Sequence, residues 1–468
     1  MNRIAAPLLC AILLAGCAAT PVPRGISPAQ VPEKFVGPVA ADAATWPQND
    51  WWQGFGDPAL TALVQEAADN NRDIALAAAR VLQAEARAKI QNAALLPQLD
   101  AGASGAGCSA GGASCSSFGL SLSASYEADF WGLARSNLRG AQEQLKSARF
   151  ARQTAALTVT SNVASRYFEL LAIRRRIAIA NENIAAINGI LEVVQLRVKA
   201  GASSLLDMTR EQAQLESVQA QLPSLQTQEK QALYALAVLL GRPPQGLEVA
   251  GSSLDGIAAP GIAPGLPSEL LLRRPDIAGA EADLAAAHAN VDAARAAFFP
   301  SVSLTAGGGF ASAAIGALLN GGSLGGSYGV SLLQSIFDGG KLSGQSDLAR
   351  GAEQEYLARY QGAVLAAYAD VEGALTAFAN TGESETHLRR LIEAARQAFQ
   401  ISQLQYRQGA ADLLTVLQAQ QTLFSAQDQL VQVMQANRAA SVRLFVALGG
   451  GWQEAPEDRT QLSEGASK

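Results

Sequence analysis

The sequence repeats itself at a distance of about 200 residues. The clearest pair of matching segments is Asn71-Arg72-Asp73-Ile74 and Arg274-Pro275-Asp276-Ile277, which are 203 residues apart. Three further pairs keep the same order, namely 95–99 with 298–302, 197–201 with 405–409, and 236–241 with 444–449. The offset grows to 208 residues between Gly201 and Gly409, a drift that a few loop insertions explain. We therefore predict one structural unit that occurs twice in the chain.

Each half is predicted to begin with a helix and to continue into a pair of strands. Asp57 followed by Pro58 is typical of a helix start, and this helix is expected to run to about residue 94, before Pro97. Apolar and small polar residues then alternate, most regularly over 118–130. That length suits the ~9–11 residues of a tilted transmembrane strand. Shorter alternations occur at 98–103, 301–306 and 328–332, and the last ends where Leu333 and Gln334 break the pattern.

Two very long helical segments follow the strand pairs. Residues 135–200 and 341–408 could each form a nearly unbroken helix of about 100 Å at ~1.5 Å per residue, with Gly382 as a candidate kink. Shorter helices are predicted to return over 207–240 and 412–448. Helices of this length are unusual in globular domains, and their Ala-, Leu- and Val-rich faces predict coiled-coil packing.

These patterns divide the chain into six segments. In order they are a signal peptide (1–16), an extended N-terminal segment (17–56), a first repeat (57–240) with a strand pair at 97–131, a Gly/Pro-rich linker (241–267), a second repeat (268–449) with a strand pair at 300–337, and a flexible C-terminal tail (450–468).

The N-terminus has the features of a bacterial lipoprotein signal. Arg3 precedes an apolar stretch over 4–14, which ends in Leu14-Ala15-Gly16-Cys17, a complete lipobox. Cys17 is thus the predicted lipidation site; the alternative is an ordinary secretory signal with a chance cysteine. Ala18 gives no signal for retention in the inner membrane. No later stretch of 18 apolar residues occurs, so we predict no transmembrane helix.

The mature chain is acidic and has two further cysteines. Loss of Arg3 leaves 34 basic and 41 acidic residues, a net charge of −7, which does not favour a nucleic-acid partner. Cys108 and Cys115 lie in the Gly/Ser-rich stretch 105–117, where an oxidising compartment would allow a disulfide loop. Free thiols are the alternative. Neither their spacing nor their neighbours suggest a metal site.

Four strands per chain cannot close a membrane barrel. The smallest such barrels have ~8 strands, and an open sheet in lipid leaves its edge groups unpaired. Two, three or four copies would give eight, twelve or sixteen strands. The small polar residues on one strand face predict a water-filled lumen. A soluble sandwich fits the same alternation, but the lipobox favours the membrane.

Several motifs together resemble the TolC-like outer-membrane efflux proteins, in their NodT-type lipoprotein branch. They are the lipobox, residues 51–60, Leu95-Leu96-Pro97, the run Leu266-Pro267-Ser268-Glu269-Leu270-Leu271-Leu272-Arg273-Arg274-Pro275-Asp276-Ile277, and the two Gly-centred turns. The resemblance implies a mainly α fold in which a homotrimer forms one 12-stranded β-barrel in the outer membrane, continuous with a coiled-coil α-helical periplasmic tunnel. It also implies two partners, a periplasmic adaptor (membrane fusion) protein and an inner-membrane resistance–nodulation–division transporter.

The two turns are where the resemblance places contacts with the adaptor. Transferred residue by residue, these positions are Arg197, Gly201, Ser204, Leu205, Asp207, Arg407, Gly409, Asp412 and Leu413. Helix-hairpin chemistry alone also explains each of them: Gly ends a helix, and Ser204 with Asp207 forms a capping box. Gate candidates are Tyr406, Asp412 and Gln418; Gln418 stands where the family often has an aspartate.

The sequence does not predict an enzyme. His288 and His387 lie in helical stretches without a nucleophile or paired metal ligands, and Gly307-Gly308-Gly309 precedes no helix. No cofactor is expected beyond the lipid on Cys17.

The predicted function is a passive duct for small molecules in a tripartite pump. The alternatives are a duct for type I protein secretion and a structural coiled-coil lipoprotein without a pore.

Overall fold

A computed structural model describes residues 32–37, 48–110, 113–261 and 265–452, and it describes no side chains within 108–115. The chain forms two compact units. One contains Gln83–Ser147 and Ala280–Gly362, which include all the described strands. The other contains Ala148–Gly279 with the described parts of Val31–Leu82 and Ala363–Lys468. The two units are built differently.

The first unit contains a four-stranded antiparallel sheet in the order β1-β2-β3-β4. Its strands are β1 (Gln98–Ala110), β2 (Ala113–Glu127), β3 (Ser301–Ser312) and β4 (Leu324–Leu333). The stretch 105–117, which the sequence analysis treated as a loop, is mostly strand, because its backbone groups complete the β1–β2 ladder. Among the described residues, β1 and β4 each pair with only one neighbour.

The register of the sheet separates apolar from polar side chains. Leu122 lies opposite Ala101 and Gly308, and Leu304 lies between Tyr126 and Val330. One residue along, Ser121 and Ser303 lie on the other face together with Gly, Ser and Thr. The apolar face is uncovered in the described structure: the exposed fractions of Leu122, Val330 and Leu332 are 50%, 73% and 69%. Such a face favours a lipid environment over water.

Eight α-helices occur in the described residues, and most have the predicted positions. They are α1 (Pro58–Asn70), α2 (Arg72–Ala93), α3 (Leu133–Lys199), α4 (Leu205–Gln219), α5 (Leu222–Leu239), α6 (Pro275–Ala296), α7 (Lys341–Arg407) and α8 (Leu413–Ala447). The two long helices, α3 and α7, have 67 residues each. The α7 helix is continuous through Gly382.

Two helices that the sequence predicted to be continuous are interrupted. The first is divided between α1 and α2 at Asn71, which has extended backbone angles. Asn71 Oδ1 accepts hydrogen bonds from the backbone N–H groups of Asp73 and Ile74, so its side chain starts α2. The second is divided between α4 and α5 just before Pro223. Proline has no backbone N–H to continue the helical pattern.

The second unit packs its helices around apolar clusters. One cluster contains Val194, Phe399, Tyr406, Leu413 and Val416, with Met208 packed against it. A second contains Ala180, Ile187, Val218 and Leu225, with Leu215 packed against it. These clusters fix the positions of the turns at the ends of α3 and α7.

Both long helices are apolar enough over an 18-residue window to cross a membrane by composition. No such helix was expected from the sequence, because neither segment has an uninterrupted apolar stretch, whereas a window average tolerates a few charges. Composition alone does not separate a membrane span from a core helix. The same helices supply the buried residues Val163, Phe168 and Val371 to the described core.

Candidate functional site

The first turn joins α3 to α4 through Gly201. Gly201 has φ +71°, a conformation that favours glycine, and the N–H of Ala202 returns to the carbonyl of Arg197 at 2.7 Å. The predicted capping box is present: Ser204 Oγ accepts from the N–H of Asp207 at 3.1 Å, and Asp207 accepts from the N–H of Ser204 at 3.1 Å. Burial acts to raise the pKa of Asp207, but hydrogen bonds from Ser204 and Ser203 outweigh it and lower that pKa.

The second turn joins α7 to α8 through Gly409. Gly409 has φ +77°, and the N–H of Ala410 returns to the carbonyl of Gln405 at 2.8 Å. Asp412 caps α8 by accepting from Thr415 N and Thr415 Oγ1, at 2.9 and 2.6 Å. These hydrogen bonds from Thr415 lower the pKa of Asp412. We call residues 197–207 and 405–415 the hairpin tips.

Arg197 joins the two hairpin tips. Its Nη1 donates to the backbone carbonyl of Tyr406, and its guanidinium carbon lies 4.7 Å from the centre of the Tyr406 ring. A side chain at Gly409 would place its Cβ 3.9 Å from Arg197 Nη2. Residues that are 209 positions apart in the sequence therefore form one site.

Tyr406 lies beneath this contact, in the apolar cluster that includes Val194 and Val416. Its exposed fraction is 5%, and its hydroxyl has no hydrogen-bond partner among the described residues. Tyr406 also lines a cavity of about 190 Å³, together with Gly189 and Arg407.

The structure separates the predicted tip residues into exposed and buried groups. The exposed members are Gly201, Ser204, Leu205, Arg407, Gly409, Asp412 and Gln418. Leu413 differs from the expectation, because it is 3% exposed and belongs to the core cluster, so its side chain is unavailable to a partner. The sequence analysis missed Leu206 and Leu414, which are 56% and 45% exposed; each is one residue from a leucine that was selected.

The two predictions that concern cysteines, a lipidation site and a disulfide, lie wholly or partly outside the described part of the chain. Cys17, the predicted lipidation site, is outside it. The β1–β2 register places the backbone of Cys108 directly opposite that of Cys115, but their side chains are not described. Within the described ranges, no group of three or more His, Cys, Asp or Glu residues could hold a metal ion.

Comparisons with known proteins agree with this architecture. The family model described as "Outer membrane efflux protein" matches residues 63–242 and 266–450, most of both halves of the chain. The pyoverdine export outer membrane protein OpmQ of Pseudomonas aeruginosa is 39% identical, over 94% of this chain and 95% of its own. The cation efflux system protein CusC of Escherichia coli is 31% identical, over 96% of this chain and 98% of its own.

Solved channel structures have the same fold. The Campylobacter jejuni CmeC outer membrane channel matches with a TM-score of 0.89 and 25% identity, covering 96% of this chain and 98% of its own. The open state of the Neisseria gonorrhoeae MtrE outer membrane channel matches with a TM-score of 0.84 and 29% identity, covering 91% and 96%. The chain therefore belongs to the outer membrane efflux protein family, and it is an outer-membrane channel that serves as an exit duct for efflux.

Proposed function

We propose that three copies of the chain assemble into a passive duct that carries small molecules across the outer membrane, without catalysing a reaction or using a cofactor. The observation that carries this proposal is the amphipathic sheet, whose apolar face is uncovered in the described structure. Because β1 and β4 each pair on one side only, further copies are needed to satisfy the edge groups in lipid. Three copies would give 12 strands, the number that the family resemblance implies.

The N-terminus supports a second attachment to the same membrane. Acylation of Cys17 after removal of residues 1–16 would anchor each copy by its lipid chains. Downstream, the N–H groups of Val36 and Gly37 donate to Glu372 at 2.7 and 2.8 Å. This contact would hold the segment that follows the anchor against α7.

We propose that the hairpin tips receive an adaptor protein and, through it, an inner-membrane resistance–nodulation–division transporter. The exposed side chains Leu205, Leu206 and Leu414 offer apolar contacts, and Arg407 adds a positive charge. Arg197, Gly201, Ser204, Asp207, Gly409 and Asp412 hold the turns in shape, as their hydrogen bonds and backbone angles indicate.

The gate is proposed to lie at the same end, with Asp412 and Gln418 as exposed polar residues and Tyr406 beneath them. If these side chains close the pore, Asp412→Ala and Gln418→Ala should each raise the conductance of reconstituted channels. Unchanged conductance in both variants would remove them from the gate.

Cys108 and Cys115 are proposed to form a disulfide at the β1–β2 hairpin. Directly opposite positions on antiparallel strands lie ~4.5–5.5 Å apart at Cα, within the range that a disulfide spans. Mass spectrometry of the protein alkylated without reductant should show no modification of either cysteine. Alkylation of both would establish free thiols.

The cargo is expected to be set by the transporter rather than by the duct. Two relatives that align with nearly the whole chain are named for different cargoes, one for pyoverdine and the other for cations. We therefore propose small molecules as the cargo class.

The first test is the mass and shape of the detergent-solubilised mature protein, by light scattering and negative-stain imaging. A trimer with a hollow stalk supports the duct. A monomer or a filled rod would support a structural lipoprotein instead. In a deletion strain, loss of a secreted protein without drug hypersensitivity would favour type I secretion.

A further inference from the structure

Glu211 is buried in the middle of α4 without a hydrogen-bond partner. Its exposed fraction is 0%, and it is the one acidic residue among the buried side chains of the described chain. Neither carboxyl oxygen has a partner among the described residues. Met208 and Leu215, one turn before and after, each pack against an apolar cluster. A carboxyl group thus occupies a position where the helical pattern calls for an apolar side chain.

Two buried amide side chains at a neighbouring level of α8 and α3 are uncharged. Gln420 of α8 is 1% exposed, donates from Nε2 to Asn183 Oδ1 of α3 at 3.2 Å, and leaves its own Oε1 without a partner in the described structure. Gln214 Nε2 donates to Gln421 Oε1 at 3.2 Å, which places Glu211 and Gln420 at neighbouring levels of α4 and α8. A protonated Glu211 could donate a hydrogen bond, whereas an ionised one cannot.

Among the described residues, no cation forms an ion pair with Glu211. Arg197 of α3 donates to the carbonyl of Tyr406, and several other charged groups on α3, α7 and α8 are paired with one another. The paired groups are Arg175 with Glu182, Arg176 with Asp428, and Arg396 with Glu393. On α4 itself, Asp207 is held by Ser203 and Ser204, and Arg210 and Glu216 are exposed; on α3, Glu192 is exposed. Burial is therefore the cause that raises the pKa of Glu211 to about 7.

The helix that carries Glu211 is separated from its continuation. The α4 helix begins after the Gly201 turn and ends at Gln219. Ala220 and Gln221, which keep right-handed helical backbone angles, connect it to α5, whose second residue, Pro223, lacks the N–H that would continue the hydrogen-bond pattern of α4. Movement of α4 would thus require changes at two short junctions, while α3 and α5 remain folded. Hinges are commonly a few residues in loops or at the ends of elements, such as those at these two junctions.

The second half of the chain lacks both features. The offset of 208 residues that relates Gly201 to Gly409 pairs Glu211 with Ala419 and Pro223 with Val431. Ala419 packs against the apolar cluster, and α8 is one uninterrupted helix of 35 residues. The first hairpin therefore combines a buried acid with a helix break, and the second hairpin serves as an internal comparison.

We propose that Glu211 is a proton-binding site that controls the packing of α4 against α3 and α8. Protonated Glu211 keeps α4 packed, and ionised Glu211 loosens it. The folded-state pKa of this acid is raised, so the packed state binds more protons than the loosened state between about pH 4.5 and 7. Packing is thus strongest at low pH, weakens as the pH rises across that interval, and is then constant. This inference concerns the first hairpin alone and does not depend on transport.

Hydrogen exchange of the full-length, detergent-solubilised protein tests the proposal. Protection factors for peptides within 205–219 are measured from pH 5 to 8, corrected for the chemical exchange rate. The wild type is expected to lose protection by up to about tenfold per pH unit below pH 7. Glu211→Gln is expected to abolish this dependence. Glu216→Gln, which removes the same charge from an exposed position of the same helix, is expected to behave as the wild type.

Two results would overturn the proposal. One is a wild-type protection that does not change with pH; the other is a Glu211→Gln variant that keeps the wild-type dependence. Light scattering checks the assembly of each variant, and Glu211→Leu supplies a second variant without a titratable group. Peptides of 413–427, where Ala419 replaces the acid, should show no such dependence in any variant. If they show the dependence in Glu211→Gln as well as in the wild type, the effect belongs to the whole tip and not to Glu211.

Discussion

Arg197 is the single residue on which the contact between the two hairpin tips most depends. Its guanidinium both donates to the carbonyl of Tyr406 and lies over the Tyr406 ring. Lysine would keep the charge but not the planar, multiple-donor group that satisfies both contacts at once. The charge of Arg197 and its shape can therefore be tested separately.

We predict that Arg197→Ala and Arg197→Lys both favour the open channel. Loss of one hydrogen bond to a charged group costs ~1.5–3 kcal/mol, which corresponds to roughly a tenfold or greater change in the ratio of open to closed channels. Single-channel recording of the isolated protein measures this ratio without the adaptor. The control is Arg152→Ala, because Arg152 is an exposed residue of the same helix. An Arg197→Ala channel with wild-type gating would show that the contact does not hold the tips together.

Asn71 joins the start of one helix to the end of another. Its Oδ1 caps α2, and its Nδ2 donates to the carbonyl of Leu239 at the end of α5, at 2.8 Å. Arg274, the matching residue of the second half, similarly donates to the carbonyl of Ala447 at the end of α8, at 3.2 Å. Different side chains thus bond to the last helix of their half in the same way.

We predict that Asn71→Ala destabilises the protein by about 1–3 kcal/mol, because it removes a helix cap and leaves a partly buried carbonyl without its donor. Asn71→Asp keeps the cap but loses the donor, so its thermal midpoint should lie between those of the wild type and the alanine variant. Thermal unfolding in detergent measures the order. If the aspartate variant is as stable as the wild type, the bond to Leu239 contributes nothing.

At the scale of whole elements, the sequence predicted helix starts and turns better than interruptions. Asp57, Ser204 and Asp412 cap helices as expected, because a short polar side chain before an apolar periodic run has a local effect. The break at Asn71 was missed because its partner, Leu239, is 168 residues away. The contact between Arg197 and Tyr406 could not be predicted for the same reason. Pro223, however, was a local signal that should have divided the return helix.

The segment around Val36 depends on one carboxylate of α7. Glu372 accepts hydrogen bonds from two successive backbone N–H groups, and Gly37 packs so closely that an added Cβ would lie 2.9 Å from Leu375 Cβ. Phe35, at 9% exposed, adds the apolar contact. Because both hydrogen bonds end on the same carboxylate, the attachment should be sensitive to a single substitution.

We predict that Glu372→Ala releases this segment without unfolding the helices. Limited proteolysis should cleave near residue 36 at least several-fold faster than in the wild type, since an exposed, unbonded backbone is readily cut. Glu383→Ala, on the exposed side of the same helix, should leave the rate unchanged. Equal cleavage of both variants would mean that Phe35 alone holds the segment.

At the scale of the whole molecule, the sheet is the element that one chain cannot complete. Its two faces differ in polarity, most regularly along β2 and β3, and its outer strands have unpaired edges in the described structure. Assembly would pair the edges, direct the apolar face to lipid and direct the Ser- and Gly-rich face to a lumen. Adjacent residues of β2 should then respond to the same substitution in opposite ways.

We predict that Leu122→Arg and Ser121→Arg separate membrane insertion from conduction. Leu122 lies on the apolar face, where an arginine near the bilayer centre costs ~2–4 kcal/mol per chain, so the amount of assembled protein in the outer membrane should fall. Ser121 lies on the polar face, so its arginine variant should assemble normally but conduct less and shift selectivity toward anions. The amount of heat-resistant oligomer on gels measures assembly, and bilayer recordings measure conduction and ion selectivity. If Leu122→Arg inserts normally while Ser121→Arg does not, the polar face is directed to lipid and the assignment of the two faces is reversed.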